Sequence, residues 1–157
     1  MILIIDFGSQ FNQLIARRVR ESHVYCQIEP PSITCDQVRA LAPEGIILSG
    51  GPSSIYEPQS PKIDPAILDL GIPVLGICYG LQYMVHALGG AVARSRKREY
   101  GFAEFRVVED DVLFKGVEGR TTCWMSHGDA ITRLPAGWHI TGTTENTPVA
   151  AASDPRR

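Results

Sequence analysis

No run of apolar residues in this 157-residue sequence approaches the roughly 20 that a membrane-spanning helix requires. The opening "MILIIDFGSQ" has neither a basic start nor a small-residue cleavage site, so no secretory leader is expected there. An excess of charge of either sign is also lacking. Fifteen Lys and Arg stand against seventeen Asp and Glu, which leaves no broad footprint for nucleic acid or for an anionic membrane surface. The local run Arg94-Ser95-Arg96-Lys97-Arg98 is the exception, and it reads as a solvated turn. Cysteines are few. Cys26, Cys35, Cys78 and Cys123 show neither C-x-x-C spacing nor the density of a disulfide scaffold, which argues against a metal site and for reduced thiols in the cytoplasm. Internal repeats, low-complexity tracts and interdomain linkers are absent from the sequence.

What is present is a core. With 44% hydrophobic residues, one domain over 1–157 can bury roughly 70% of its unfolded surface. "ILIIDF" is a continuous apolar run, the pattern of a strand covered on both faces. Ser9 can cap the helix after it, with Phe11, Leu14, Ile15 and Val19 as its apolar face. "VYCQIE" reads as the second strand, and Thr34-Cys35-Asp36-Gln37 has the form of a capping box opening a short helix through Leu41. "GIILSGG" is a third strand. Asp64-Pro65 starts a helix that Gly71 ends, "PVLGI" is the fourth strand, and a helix runs from Tyr79 to Gly89-Gly90. The alternation predicts an α/β fold with a doubly wound, mostly parallel sheet of flavodoxin-like type. Beyond Gly90, "GFAEFRVVED", "TTCWMSH", "HITGTTE" and "VAAAS" look like shorter strands forming a mixed or antiparallel extension of that sheet.

Gly76-Ile77-Cys78-Tyr79-Gly80 is the cysteine version of the Gly-x-nucleophile-x-Gly elbow, a tight strand-to-helix turn that holds a reactive side chain clear of the sheet. Strand and helix pass too close there for a β-carbon, hence the glycines. Ligands of open α/β sheets bind at the carboxyl ends of the strands, which brings Ser49-Gly50-Gly51-Pro52-Ser53 beside Cys78. Backbone N–H groups of that loop and of Tyr79 can face a developing oxyanion. The amino end of the helix favours the thiolate of Cys78, and Gln82 lies one turn along. Each part has a plainer explanation. Cys78 alone suits a core position, "SGGP" alone is a turn, and Gln82 alone is a surface helix residue. Their joint occurrence at successive strand ends points to a thiol that attacks a carbonyl carbon.

The motifs "LSGGPSS", "GICYGLQ" and "WMSHGD" resemble the class I glutamine amidotransferase domain. "IIDFGSQFNQLIARRVRE" and "REYGF" are similar to the glutaminase unit found in GMP synthetases. The resemblance runs through nearly the whole chain. It implies that Cys78 attacks the side-chain amide of glutamine, releasing ammonia for a synthetase domain or a separate synthetase chain to add to ATP-activated XMP. It implies an oxyanion hole at Gly51 and Tyr79. Gly50, Ser53, Gln82, Ser126, His127 and Gly128 become the set expected to hold glutamine, with His127 and Asp129 bridging to the synthetase surface. No cofactor is expected in this domain; ATP and Mg2+ belong to the synthetase. Alternatives are the glutaminase of anthranilate synthase or carbamoyl-phosphate synthetase, and a glutamine-binding module without turnover.

One departure stands out. The family completes its triad with a Phe-His-Pro-Glu motif, and none occurs among these 157 residues; truncation ahead of that segment is the simplest account. His23 sits at the end of the first helix, His86 two turns beyond Cys78 and His139 in an expected strand. His127 comes closest to a substitute base, but the resemblance assigns it to the substrate loop. Asp129 has a plainer alternative too, an Asx turn capping its own backbone.

Overall fold

A computed structural model describes residues 1–109 and 111–156, with the side chains of 95–100, 126 and 127 outside the description. The chain divides into two compact units, Met1–Ala87 and Leu88–Arg156.

The first unit is built on four parallel strands, β1 (Ile2–Ile5), β2 (Cys26–Glu29), β3 (Gly45–Leu48) and β4 (Val74–Gly76), in the order β2-β1-β3-β4. Ile4 stands between Ile28 and Ile47 in register. Leu3, Ile4 and Ile5 are wholly buried, as an all-apolar central strand requires. The order reverses at β1. Right-handed crossovers leaving in opposite directions place their helices on opposite faces, and the β1/β3 boundary becomes the switch point where this strand order binds ligands.

Helix α1 (Asn12–Glu21) packs Ile15, Ala16 and Val19 against Ile4 and Cys26. It starts later than Ser9 predicts. The Ser9 hydroxyl instead accepts from the Phe11 N–H at 3.0 Å, forming a turn, and no side chain caps α1. Of the expected apolar face, Ile15 and Val19 pack inward, whereas Phe11 precedes the helix and is exposed, as is Leu14, and Asn12 and Ala16 are buried. Helix α2 (Cys35–Leu41) has both halves of the expected capping box between Thr34 and Gln37. The segment after Asp64 is a 3-10 helix, Pro65–Asp69, rather than an α-helix; Asp64 accepts from the Ala66 N–H at 3.0 Å, and five residues are too few for a stable α-helix. Helix α3 (Tyr79–Ala87) follows β4 as expected.

The second unit is antiparallel: β5 (Ala91–Val107), β6 (Arg120–Arg133), β7 (His139–Thr143) and β8 (Ala151–Ser153), in the order β6-β5-β7-β8. Among the described residues these strands form their own four-stranded sheet rather than extending the parallel one. The first two strands are far longer than the sequence pattern suggests. β5 runs straight through Arg94-Ser95-Arg96-Lys97-Arg98, so that run is strand and not turn; its ladder with β6 shifts register between Arg94 and Glu99. The paired residues on either side, Arg94 with Asp129 and Glu99 with His127, carry the strand across a polar stretch that has no hydrophobic alternation and, among the described residues, no register partner of its own.

Candidate active site

Cys78 has φ +49°, a left-handed conformation seldom adopted by a residue with a side chain. The packing around it explains why the strain is kept. A β-carbon on Gly76 would lie 2.6 Å from the Leu81 nitrogen, and one on Gly80 would lie 2.3 Å from the Leu48 carbonyl oxygen. Strand β4 therefore turns into α3 at the closest approach that two backbones allow, and the side chain between the two glycines is thrust outward. Cys78 is exposed, whereas Cys26 and Cys35 are buried and Cys123 is half-buried. The Cys26 thiol donates to the Ala16 carbonyl within the core.

The start of α3 is held from below. Tyr79 is buried, stacks edge-on against Phe7 at 5.1 Å and donates its hydroxyl to the Pro61 carbonyl at 2.6 Å. Tyr83, a turn later, donates to the Ile63 carbonyl at 2.7 Å. Burial raises the pKa of Tyr79, and it pushes Tyr83 up to about 12, with the Tyr79 and Asp64 charges adding to the effect.

The glycine loop lies alongside. A β-carbon on Gly50 would stand 3.5 Å from the Cys78 Cβ, and one on Gly51 would collide with the Phe7 carbonyl oxygen at 2.4 Å. Ser49, fully buried, fixes the loop: its hydroxyl accepts from the Phe7 N–H at 2.9 Å and donates to the Gly50 carbonyl at 2.8 Å. Among the described residues no protein group accepts from the N–H of Gly51 or of Tyr79, so both remain available as donors. Gln82 is buried, not the surface residue that its helix position alone suggests, and its N–H donates to the Cys78 carbonyl at 3.0 Å. Ser53 is half-buried in the same loop.

Electrostatics at the thiol differ from the expectation. Although the residue is exposed, partial desolvation of the sulfur by the turn that carries it raises the Cys78 pKa above that of a free thiol. The amino end of α3 pulls the other way, toward the thiolate. Desolvation works against the thiolate, so a base beside the sulfur would assist attack.

The remaining predicted residues lie in the second unit. Ser126, His127, Gly128 and Asp129 do not follow a strand; they lie within β6, with Glu99 opposite His127 and Arg94 opposite Asp129. The side chains of Ser126 and His127 fall outside the described residues. Asp129 is buried and part of the ladder, which removes the Asx-turn alternative. His23 has φ +60° and its N–H donates to the Arg20 carbonyl. His86 is exposed and faces the Tyr56 ring at 5.9 Å, and the His139 Nε2 lies 3.8 Å from a Glu109 carboxylate oxygen.

Three supporting features escape sequence reasoning: the hydrogen bonds of the Ser49 hydroxyl, that of the Tyr79 hydroxyl, and the burial of Asn12. Asn12 is 5% exposed with both amide atoms unpartnered by protein, a desolvation that costs about 1–3 kcal/mol. A serine before a Gly-Gly pair and an asparagine at a helix start are ordinary in a sequence; only burial distinguishes them.

The family model for class-I glutamine amidotransferases matches residues 3–157. The chain is 54% identical over 156 residues to a GMP synthase (glutamine-hydrolyzing) of Heliobacterium modesticaldum, covering 99% of this chain and 30% of that protein. It is 51% identical to a GMP synthase of Geobacillus kaustophilus, covering 100% of this chain and 31% of that protein. It thus spans about a third of the length of these curated relatives. Among solved structures, a protein from Thermoplasma acidophilum assigned as one chain of a GMP synthase superposes with a TM-score of 0.89 at 26% identity, over 99% of this chain and 78% of that one. A glutamine amidotransferase from Thermotoga maritima, 22% identical, shares the fold with a TM-score of 0.75 over 93% of this chain and 67% of that one.

Proposed function

The chain belongs to the class-I glutamine amidotransferase family, and from that premise we propose that it is the glutaminase part of a GMP synthase. The observation that carries the reading is the elbow: an exposed thiol at φ +49° between two glycines whose β-carbons have no room. The Heliobacterium and Geobacillus relatives are GMP synthases, which favours this reading over anthranilate synthase or carbamoyl-phosphate synthetase glutaminases. An intact elbow argues against a binding module without turnover.

In this reading the Cys78 sulfur attacks the side-chain carbonyl carbon of glutamine. The thiol proton passes to a base, for which the family resemblance gives a histidine of a Phe-His-Pro-Glu motif; that motif is not among these 157 residues. The N–H groups of Gly51 and Tyr79 stabilise the oxyanion, and removing one such donor typically costs about 10²–10³ in kcat. Collapse of the tetrahedral intermediate forms a thioester and breaks the C–N bond; the histidine returns its proton to the nitrogen, which departs as ammonia. Water then hydrolyses the thioester, giving glutamate and the free thiol. Gly50, Ser53 and Gln82 hold the amino acid; the family resemblance gives Ser126, His127 and Gly128 a role in glutamine binding and His127 and Asp129 one in coupling to the acceptor unit. That partner is a synthetase domain or subunit that binds ATP and Mg2+ and adds the ammonia to XMP in the cytoplasm. No cofactor, nucleic acid or membrane is needed by the glutaminase step.

The test is a split by nitrogen source. In the full-length enzyme, Cys78→Ala abolishes GMP formation from glutamine and leaves formation from ammonium salts within about twofold of the parent, as expected when one half-reaction is removed. Retained glutamine-dependent synthesis rejects the assignment.

A further inference from the structure

Asn12 heads α1 with both amide atoms buried and unpartnered by any protein group among the described residues. Buried side-chain polar atoms are bonded in the large majority of cases, and bound water or a functional role accounts for exceptions. Position narrows the choice. The β1–α1 turn ahead of Asn12 lies at the β1/β3 switch point and rests on the glycine loop. A β-carbon on Gly8 would stand 3.6 Å from the Pro52 Cδ, and the position of a β-carbon on Gly50 is 4.0 Å from the Ser9 Oγ and 3.5 Å from the Cys78 Cβ. Helix α1 also has no side-chain cap and no acidic residue in its first turn, so its leading N–H groups remain donors at the same end.

The chemistry of the amide selects the ligand. Its two N–H hydrogens require an acceptor and its oxygen requires a donor. A carboxylate offers no donor, an ammonium ion offers no acceptor, and a hydrogen phosphate brings charge that a neutral amide does not offset. Ammonia offers both but is protonated in neutral water. Water offers both and is abundant.

We propose that Asn12 holds an ordered internal water that braces the β1–α1 turn against the 49–53 loop, making Asn12 a positioning residue for the oxyanion donor at Gly51. The functional half of this inference rests on the glutaminase reading of the Cys78 site. The structural half stands alone.

Two measurements on the full-length enzyme test it. A high-resolution crystal structure is expected to show a water within about 2.7–3.2 Å of both amide atoms; an amide bonded only to protein, or to nothing, overturns the proposal. Asn12→Leu keeps the branched shape without the polar atoms, Asn12→Ala guards against overpacking, and Asn12→Thr restores a group that both donates and accepts. The apolar variants are expected to melt no lower than the parent, yet to hydrolyse glutamine with kcat about tenfold lower and KM within about twofold, whereas Asn12→Thr stays within about twofold of the parent in both. Parental kcat in both apolar variants, or a loss of melting temperature with equal losses from glutamine and from ammonium salts, overturns the positioning role. A parent that hydrolyses no glutamine refutes the glutaminase reading and with it the functional half, while the crystallographic result still decides the water site.

Discussion

A β-carbon on Gly80 would stand 2.3 Å from the carbonyl oxygen of Leu48. The first turn of α3 is therefore pressed against the end of β3, and this contact throws Cys78 outward. Gly80→Ala is expected to destabilise the fold by about 1–3 kcal/mol or more and to displace the thiol from its reactive position. Gly71→Ala is the matched control, since Gly71 has φ +71° but nothing within 4 Å of its missing β-carbon. It should cost only the left-handed backbone penalty, about 1–2 kcal/mol, with reaction at Cys78 intact. Denaturant titration with a glutaminase assay separates the two; equal loss of activity in both variants would mean that close packing does not set the elbow.

Ser49 links two parts of the site through one hydroxyl. Removing it strands the Phe7 N–H in the core and frees the Gly50 carbonyl. Ser49→Ala is expected to cost about 1–3 kcal/mol and to lower kcat for glutamine hydrolysis more than it changes KM. A variant with parental kcat would show that the loop needs no such tie.

Tyr83 carries a measurable pH signature. Burial comes first among the causes that push its hydroxyl up to about 12. The folded protein thus prefers the neutral phenol. The stability this confers is fully present below the unfolded tyrosine pKa of about 10 and is lost as pH rises through about 12. Tyr83→Phe should flatten the alkaline limb of a stability-versus-pH curve and cost about 1 kcal/mol at neutral pH through the lost bond to the Ile63 carbonyl. An unchanged alkaline limb contradicts the assignment.

Asp129 tests coupling to the acceptor unit. Because it is buried within β6, Asp129→Asn probes charge with less damage than alanine does. The substitution is expected to reduce GMP formation from glutamine at least about tenfold more than formation from ammonium salts, a coupling of about 1–3 kcal/mol being typical. Equal losses with both nitrogen sources would place its role in general stability.

Much of the first unit is legible in the sequence because local rules agree there. The apolar run of β1, the capping box at Thr34 and the elbow glycines each reflect a constraint that few residue types satisfy. The α1 face is harder to read: Phe11 and Leu14 fit the helical period yet are exposed, while the helix starts at Asn12, which is buried. The extent of the second unit is hidden for a different reason. β5 and β6 are held by cross-strand pairs such as Phe102 and Trp124, a non-local pairing that leaves little periodic signal in the polar stretch around Arg94. The raised Cys78 pKa is hidden as well, since desolvation depends on the packing around the sulfur, whereas the helix end is visible in the sequence.

The central claim, that Cys78 is the glutamine-directed nucleophile, is tested most directly by alkylating the full-length enzyme with an electrophilic glutamine analogue and locating the adduct by mass spectrometry. The account predicts one adduct, on Cys78, protected by glutamine, with a rate that increases as the thiol is deprotonated with rising pH. It predicts a far weaker preference for Cys78 with a simple alkylating agent, because selectivity comes from the glutamine site and not from a lowered pKa. Adducts on Cys26, Cys35 or Cys123 ahead of Cys78, or labelling of Cys78 that glutamine does not slow, would contradict it.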